Sequence, residues 1–335
     1  MRGAVAAVVC TGALALAACS GSKTNGGGFG NGSSSGGGGS GSGGSGSGGS
    51  GGGSGSTGSG SGSFGGSGSS SGGSNSNCSG QAADYVYVLS AENDLYSFAP
   101  NLKKFTMIGP LKCQTAMQPN SMAVDRNANA YVNYVQSDPT TGTDTAGVIY
   151  KVSTQDASCG AQPLMNLPNG WYRTGMGYSS DTSGGPTETL YLDGVSNGVT
   201  GSGMGIGRVD LGAGVVTPIG AFTGTLAGQN AELTGTGDAR LFGFFTTTPV
   251  YVAQIDKTSG ATATPVAMNG VQTPTDWAFS FWGGHFYLYV SQGAGTTVAD
   301  YDPTTGSVNP TYMPNIGFDI VGAGVSTCAP IVQPQ

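Results

Sequence analysis

The chain has 335 residues, 64 of them Gly, with only 9% charged side chains and 37% hydrophobic ones. Most of the Gly lies before residue 78, so the foldable part is residues 78–335, long enough for one large all-β domain or two small ones. That part carries nine Lys/Arg against all eighteen acidic residues, a net charge of −9, which argues against a nucleic-acid or anionic-membrane surface.

At the N-terminus Arg2 precedes a run of apolar or small residues over positions 3–18, ending in Leu16-Ala17-Ala18-Cys19-Ser20. The run is shorter than the about 20 apolar residues a spanning helix needs. It resembles a bacterial lipoprotein signal with its lipobox. The resemblance implies removal of residues 1–18 and transfer of a diacylglycerol to the Cys19 thiol. Several acyl chains, at about 0.8 kcal/mol per buried CH₂, would anchor the chain stably to a membrane. Ser20 after the Cys implies outer-membrane sorting in a Gram-negative cell.

Residues 19–77 form the expected tether. From Ser20 onward, Gly and Ser are interrupted only by Lys23, Thr24, Asn25, Phe29, Asn31, Thr57, Phe64, Asn75 and Asn77. Such a composition cannot bury enough apolar surface to offset its ordering entropy, and a disordered linker is expected. As a flexible coil it would span about 40 Å.

With Cys10 in the signal and Cys19 lipidated, Cys78, Cys113, Cys159 and Cys328 remain. Four cysteines in an exported domain suggest two disulfides, with three possible pairings. No pair has Cys-x-x-Cys spacing, and one His does not suit a zinc site.

From Tyr85 onward the chain alternates short β-branched and aromatic runs with Gly, Pro, Asn, Asp and Thr clusters, and shows no long helical period. Strands are expected over Tyr85–Ser90, Asp94–Ala99 and Phe105–Leu111, then over Ser121–Asp125, Ala130–Tyr134, Val148–Val152 and Pro163–Leu167. Further sets of four begin near Gly175, Glu232 and Trp277. A turn recurs as Val209-Asp210-Leu211-Gly212-Ala213-Gly214, Ile255-Asp256-Lys257-Thr258-Ser259-Gly260 and Tyr301-Asp302-Pro303-Thr304-Thr305-Gly306, spaced 46 residues twice. Val152-Ser153-Thr154-Gln155-Asp156 is a weaker copy. Asp accepts from the following backbone and Gly takes positive φ, so these are structural turns. Four-strand repeats of this length indicate a β-propeller of five blades, with six as the alternative count. The lone strand Asp319–Val325 would close the ring against the three N-terminal strands.

Closure puts Cys78 and Cys328 on one face, where they would staple the ring. Cys113 and Cys159 then pair by elimination, although simple propeller geometry sets their loops on opposite faces. The Asp-x-x-Thr-Gly hairpins resemble those of quinoprotein-like and NHL-like propellers, and Ala123-Val124-Asp125 followed by Ala130-Tyr131-Val132 is similar to an NHL inner-strand pair. The whole chain also resembles Gly/Ser-tethered lipoproteins of Gram-negative predatory and soil bacteria. These resemblances imply a fold and an address, and carry over no activity or cofactor ligands.

Chemistry is sparse. His285, in Trp282-Gly283-Gly284-His285-Phe286, reads as a solvated turn residue rather than a triad member, as do Asp238 and Arg240. The eight methionines from Met107 to Met313 read as core filling. The innermost strands would start at Asn120, Arg173, Glu232, Asp276 and Asp319, with Trp171, Tyr172 and Trp277 beside them, and these starts ring the channel mouth. Converging Glu232, Asp276 and Asp319 would suit a Ca²⁺ ion or an acid and base for glycosidic cleavage, and the aromatic rings suit stacking on sugars. The plain reading is that these carboxylates cap amides and face water.

The leading expectation is an envelope lipoprotein whose propeller is a non-catalytic binding or scaffold module for a protein or polysaccharide, with no resident cofactor. The alternatives are a glycan hydrolase using Glu232, Asp276 and Asp319, and a structural spacer.

Overall fold

A computed structural model describes residues 78, 82–196, 201–293 and 295–334. The expected signal (1–18), Cys19 and the tether (19–77) lie outside the described residues. Among the described residues the regular secondary structure is β apart from two short 3₁₀ turns.

Strands β1 (Val86–Ser90), β2 (Asp94–Ala99) and β3 (Lys104–Pro110) come first. The second blade is β4 (Gln118–Val124), β5 (Asn129–Ser137), β6 (Asp144–Ser153) and β7 (Met165–Asn166). The third is β8 (Arg173–Ser180), β9 (Glu188–Val195), β10 (Gly203–Asp210) and β11 (Val215–Gly220). The fourth is β12 (Ala231–Gly235), β13 (Leu241–Phe245), β14 (Tyr251–Ile255) and β15 (Thr262–Ala267). The fifth is β16 (Asp276–Trp282), β17 (His285–Ser291), β18 (Thr296–Asp302) and β19 (Ser307–Met313), followed by β20 (Ile320–Val325).

These strands form five four-stranded antiparallel sheets. The first blade has the order β20-β1-β2-β3, so the last strand of the chain is the innermost strand of the blade that holds the first three. The fold is a five-bladed β-propeller, which removes the six-blade alternative.

Burial follows radial position. Inner strand β12 is buried throughout, whereas outer β3 is mostly exposed. Five hydrophobic clusters fill the five spaces between neighbouring blades, for example Phe244, Phe279 and Phe286 between the fourth and fifth. Each blade presents an apolar surface on both faces to a neighbour, so the ring is stable only when closed.

Five blades leave little room at the axis. A Cβ on Gly175 would lie 2.0 Å from Ala231 O, and one on Gly322 would lie 2.9 Å from Met122 N. The absence of side chains at these positions lets inner strands approach backbone to backbone.

The recurrent turns behave as their sequence requires. Asp256 Oδ1 accepts from the amides of Thr258 and Ser259, and Asp302 Oδ1 from that of Thr304, while Gly260 and Gly306 have φ of +78° and +73°. In the weak copy Ser153 Oγ takes the Asp role, accepting from the Gln155 amide, and Ala157 occupies the left-handed position at φ +58°. Of the methionines, Met122, Met165, Met176 and Met268 are buried, but Met107 and Met204 are exposed rather than core.

Both disulfides form. Cys78–Cys328 joins the two ends of the closing blade, with Cα atoms 5.9 Å apart. Cys113–Cys159 links the first two blades at a Cα separation of 4.9 Å. The expectation that the latter pair lies on opposite faces does not hold. Successive strands rotate by about 20–25°, so by the outermost strand the faces defined at the axis have turned by about 60–75°. The segment after β3 therefore runs along the second blade, where Gln114 O accepts from Tyr150 Oη at 3.0 Å. Both cysteines pack on the same core cluster.

Candidate functional site at the channel mouth

The inner strands begin on one rim of the ring. A pocket there has a cavity volume of about 90 Å³ beneath a wider opening to solvent and is lined by residues of all five blades, including Asn120, Arg173, Thr174, Asn230, Glu232, Asp276, Trp277 and Val321. Asn120, Arg173, Glu232, Asp276 and Trp277 are thus brought together as the sequence predicts.

Glu232 forms the floor. It is 4% exposed, and its Oε1 accepts from Ser121 Oγ on β4 and from the Met176 amide on β8 at 3.3 Å. One carboxyl therefore ties three inner strands across the axis. Burial pushes the Glu232 carboxyl well above its ordinary range, against the lowering effect of these two bonds, with a further upward contribution from Asp193. Asp193, on β9, is fully buried; burial raises it well above the usual value, and its Oδ2 accepts from the Ala231 amide at 2.7 Å.

Arg173 stands on the opposite wall and is already engaged. Its Nε donates to Asp144 Oδ2 at 3.0 Å, its Nη2 to Asp144 Oδ1 at 3.2 Å, and its Nη1 to Asn120 Oδ1 at 2.7 Å. The fork matches the carboxylate bidentately, and the Asp144 side chain is only 2% exposed. Asn120 Nδ2 donates to Asn133 Oδ1 at 2.8 Å and to Thr174 O at 2.9 Å, completing a network from β4 to β8. Asp276, half-buried at the rim, accepts from Thr275 Oγ1 at 3.3 Å, and Trp277 stands beside it on the fifth blade.

Three predicted members lie elsewhere. Asp319 does not line the pocket: its Oδ1 accepts from Ser291 Oγ and from the Gly295 amide at 3.1 Å, which is the amide-capping role. Trp171 is 4% exposed and is used as core, with its ring lying over Gly194 and Gly207. Tyr172 packs against the same interblade cluster. Glu232, Asp276 and Asp319 do not converge, and no group of three His, Cys, Asp or Glu side chains is set to hold a metal among the described residues. The Ca²⁺ triad is therefore not assembled.

His285 is not simply solvated. Its Nδ1 lies 2.8 Å from Asp300 Oδ1, with both side chains largely covered, on the rim away from the mouth. Asp238 and Arg240 form a local turn ion pair at 2.7 Å.

Sequence reasoning missed Ser121, Asn133, Asp144, Thr174 and Asp193. A usable signal existed for two of them: Asn133 in Tyr131-Val132-Asn133-Tyr134 and Asp193 in Leu190-Tyr191-Leu192-Asp193 are polar residues inside apolar strands, which must find partners when buried.

No protein-family model matches the chain, and no curated protein matches it. Among solved structures, TolB from Acinetobacter baumannii is similar at 14% identity and a TM-score of 0.37, over 67% of this chain and 51% of that one. This chain thus spans about half the TolB chain. A Bacteroides thetaiotaomicron protein of unknown function is similar at 14% identity and a TM-score of 0.42, over 76% and 69%. A chain of the nidogen/laminin complex is similar at 13% identity and a TM-score of 0.41, over 72% and 85%. At these identities and overlaps the likeness assigns neither ligand nor activity. What stands established is the architecture: an all-β, five-bladed propeller closed by its own last strand, with a pocket at the axis lined from all five blades.

Proposed function

We propose that this chain is a lipid-anchored binding module of the cell envelope whose ligand seat is the channel mouth. The observation that carries the reading is the composition of that pocket: an aromatic ring, a rim carboxylate, a buried carboxyl and a rigid Arg–Asn network, contributed by separate blades and converging on one opening. The recess itself is small, about 90 Å³ beneath a wider opening to solvent, and so takes one projecting group of a ligand rather than a whole one. It receives a single group projecting from a sugar chain more readily than a broad protein face, so a polysaccharide is favoured over a protein partner. The net charge of −9 disfavours polyanionic glycans.

The test uses the intact protein in detergent micelles over immobilised polysaccharides, scoring both retention and new reducing ends. Retention without cleavage, lost in Trp277→Ala, supports the binding module. Cleavage lost in Glu232→Gln or Asp276→Asn supports the hydrolase alternative, since both carboxyls line one pocket. Failure of both removes the glycan reading. The anchor is tested by fractionation: Cys19→Ser should move the protein from the outer-membrane to the soluble fraction and abolish labelling by a fatty-acid probe.

A further inference from the structure

The hydrogen-bonding inventory of the mouth is unbalanced. Its donors are largely engaged: three nitrogens of Arg173 on Asp144 and Asn120, and Asn120 Nδ2 on Asn133 and Thr174. Its acceptors are not. Asn230 lines the pocket and its Oδ1 is buried without a partner, as is Asp193 Oδ1 behind Ala231; the Thr174 hydroxyl, 1% exposed and also in the lining, is unpaired and free both to accept and to donate. Thus three of the four buried side-chain polar atoms without a partner among the described residues belong to this one region. Only Oε1 of Glu232 is engaged, and Asp276 meets only its neighbouring Thr hydroxyl.

Charge is unbalanced in the same sense. Arg173 and Asp144 cancel each other, whereas Glu232, Asp193 and Asp276 have no cationic partner among the described residues; Asp276 is left as a charge at the rim, and the two buried carboxyls keep their protons until a cation arrives beside them. Buried polar atoms and uncompensated carboxyls are costly when left alone, so the missing partner is a cation rich in donors. An ammonium group offers three donors and one positive charge, and the adjoining Trp277 offers an aromatic face.

We propose that the mouth takes its glycan through an unsubstituted amino group, with the ammonium seated among Glu232, Asp276, Asn230 and Thr174 and the sugar ring against Trp277. This rests on the reading of the mouth as a glycan seat and specifies its chemistry as an amino sugar. A domain of net charge −9 also favours the approach of a cationic sugar.

The experiment is calorimetric titration of the intact, detergent-solubilised protein with three probes: a glucosamine trisaccharide, its N-acetylated counterpart and maltotriose. The free-amine probe should bind at least about tenfold more tightly than the acetylated one, the scale of a charge-assisted contact. Asp276→Asn, at the half-exposed rim, keeps an acceptor for the Thr275 hydroxyl and should cut that preference several-fold, with the melting temperature of the variant measured beside it. Glu232→Gln keeps an acceptor for Ser121 and should remove most of it. Equal or tighter binding of the acetylated or neutral probe overturns the amine assignment while leaving a glycan seat in place. An unchanged preference in both variants overturns the location. No binding of any probe overturns the proposal, and the polysaccharide panel then decides separately whether a glycan reading survives.

Discussion

Ser121 and Glu232 are hydrogen-bonded partners from blades two and four, joined across the axis past the intervening strand β8. In a five-bladed ring the inner strands are close enough for one carboxyl to bridge non-neighbours, and the same bond sets the floor of the mouth. Site and axis are therefore the same structure, and changes at Glu232 are read in both stability and binding.

Stability should fall as pH rises through the mildly acidic range. Burial raises the carboxyls of Glu232 and Asp193 above their ordinary values of 4.5 and 3.8, so the native state retains protons that the unfolded chain has released. Their cost is absent below about pH 4 and grows as pH climbs toward the folded-state values. Thermal midpoints measured from pH 5 to pH 8 should decline, and the combined Glu232→Gln, Asp193→Asn variant should show a flatter profile. Parallel profiles would mean that these groups are ionised in the native ring.

Loss of either disulfide should destabilise the domain, and the ring staple should matter more. Cys78–Cys328 spans a sequence separation of 250 and Cys113–Cys159 one of 46. Loop-closure entropy then gives contributions of about 5.5 and about 4 kcal/mol. Urea titration of the two Cys→Ser double variants checks both the size and the order.

The two tryptophans near the mouth should separate cleanly. Trp171→Ala removes a buried indole and should cost about 3–5 kcal/mol, with glycan retention following only the loss of folded protein. Trp277→Ala, which removes a ring only partly packed against the cluster between the fourth and fifth blades, should cost less stability than Trp171→Ala yet abolish retention by protein that is still folded. If Trp277→Ala retains glycan fully, the mouth is not the seat.

Gly175→Ala should be among the most damaging single-methyl changes in the chain. The added carbon would stand 2.0 Å from Ala231 O, a backbone atom of the neighbouring inner strand, and neither strand can retreat without parting the axis. A soluble, native-melting Gly175→Ala protein would show that the axis is looser than this packing implies.

The propeller was legible because its signals are local. Asp256 and Gly260 announce a turn by their own chemistry, their spacing to Asp302 and Gly306 counts blades, and unpaired β20 demands the three partners supplied at the other end. The mouth was legible only in part. Aligning strand starts located Asn120, Arg173, Glu232, Asp276 and Trp277, but side chains alternate along a strand and one residue decides the face. Asp319, just before β20, turns to Ser291, and Trp171, two residues before β8, turns into the core. Ser121 and Thr174 carry no sequence mark, because their importance comes from strands more than fifty residues away.

The Cys78–Cys328 bond has a mechanical consequence. A pull on the chain ahead of Cys78 reaches Cys328 through a covalent link before it reaches β1, and thus loads the closing blade from both of its chain ends at once. The β1–β20 hydrogen bonds are spared the peeling geometry in which they would break one by one. Pulled from that point, the domain would resist tension as a closed hoop, and reduction of this single bond would leave the same hoop to unzip from its seam.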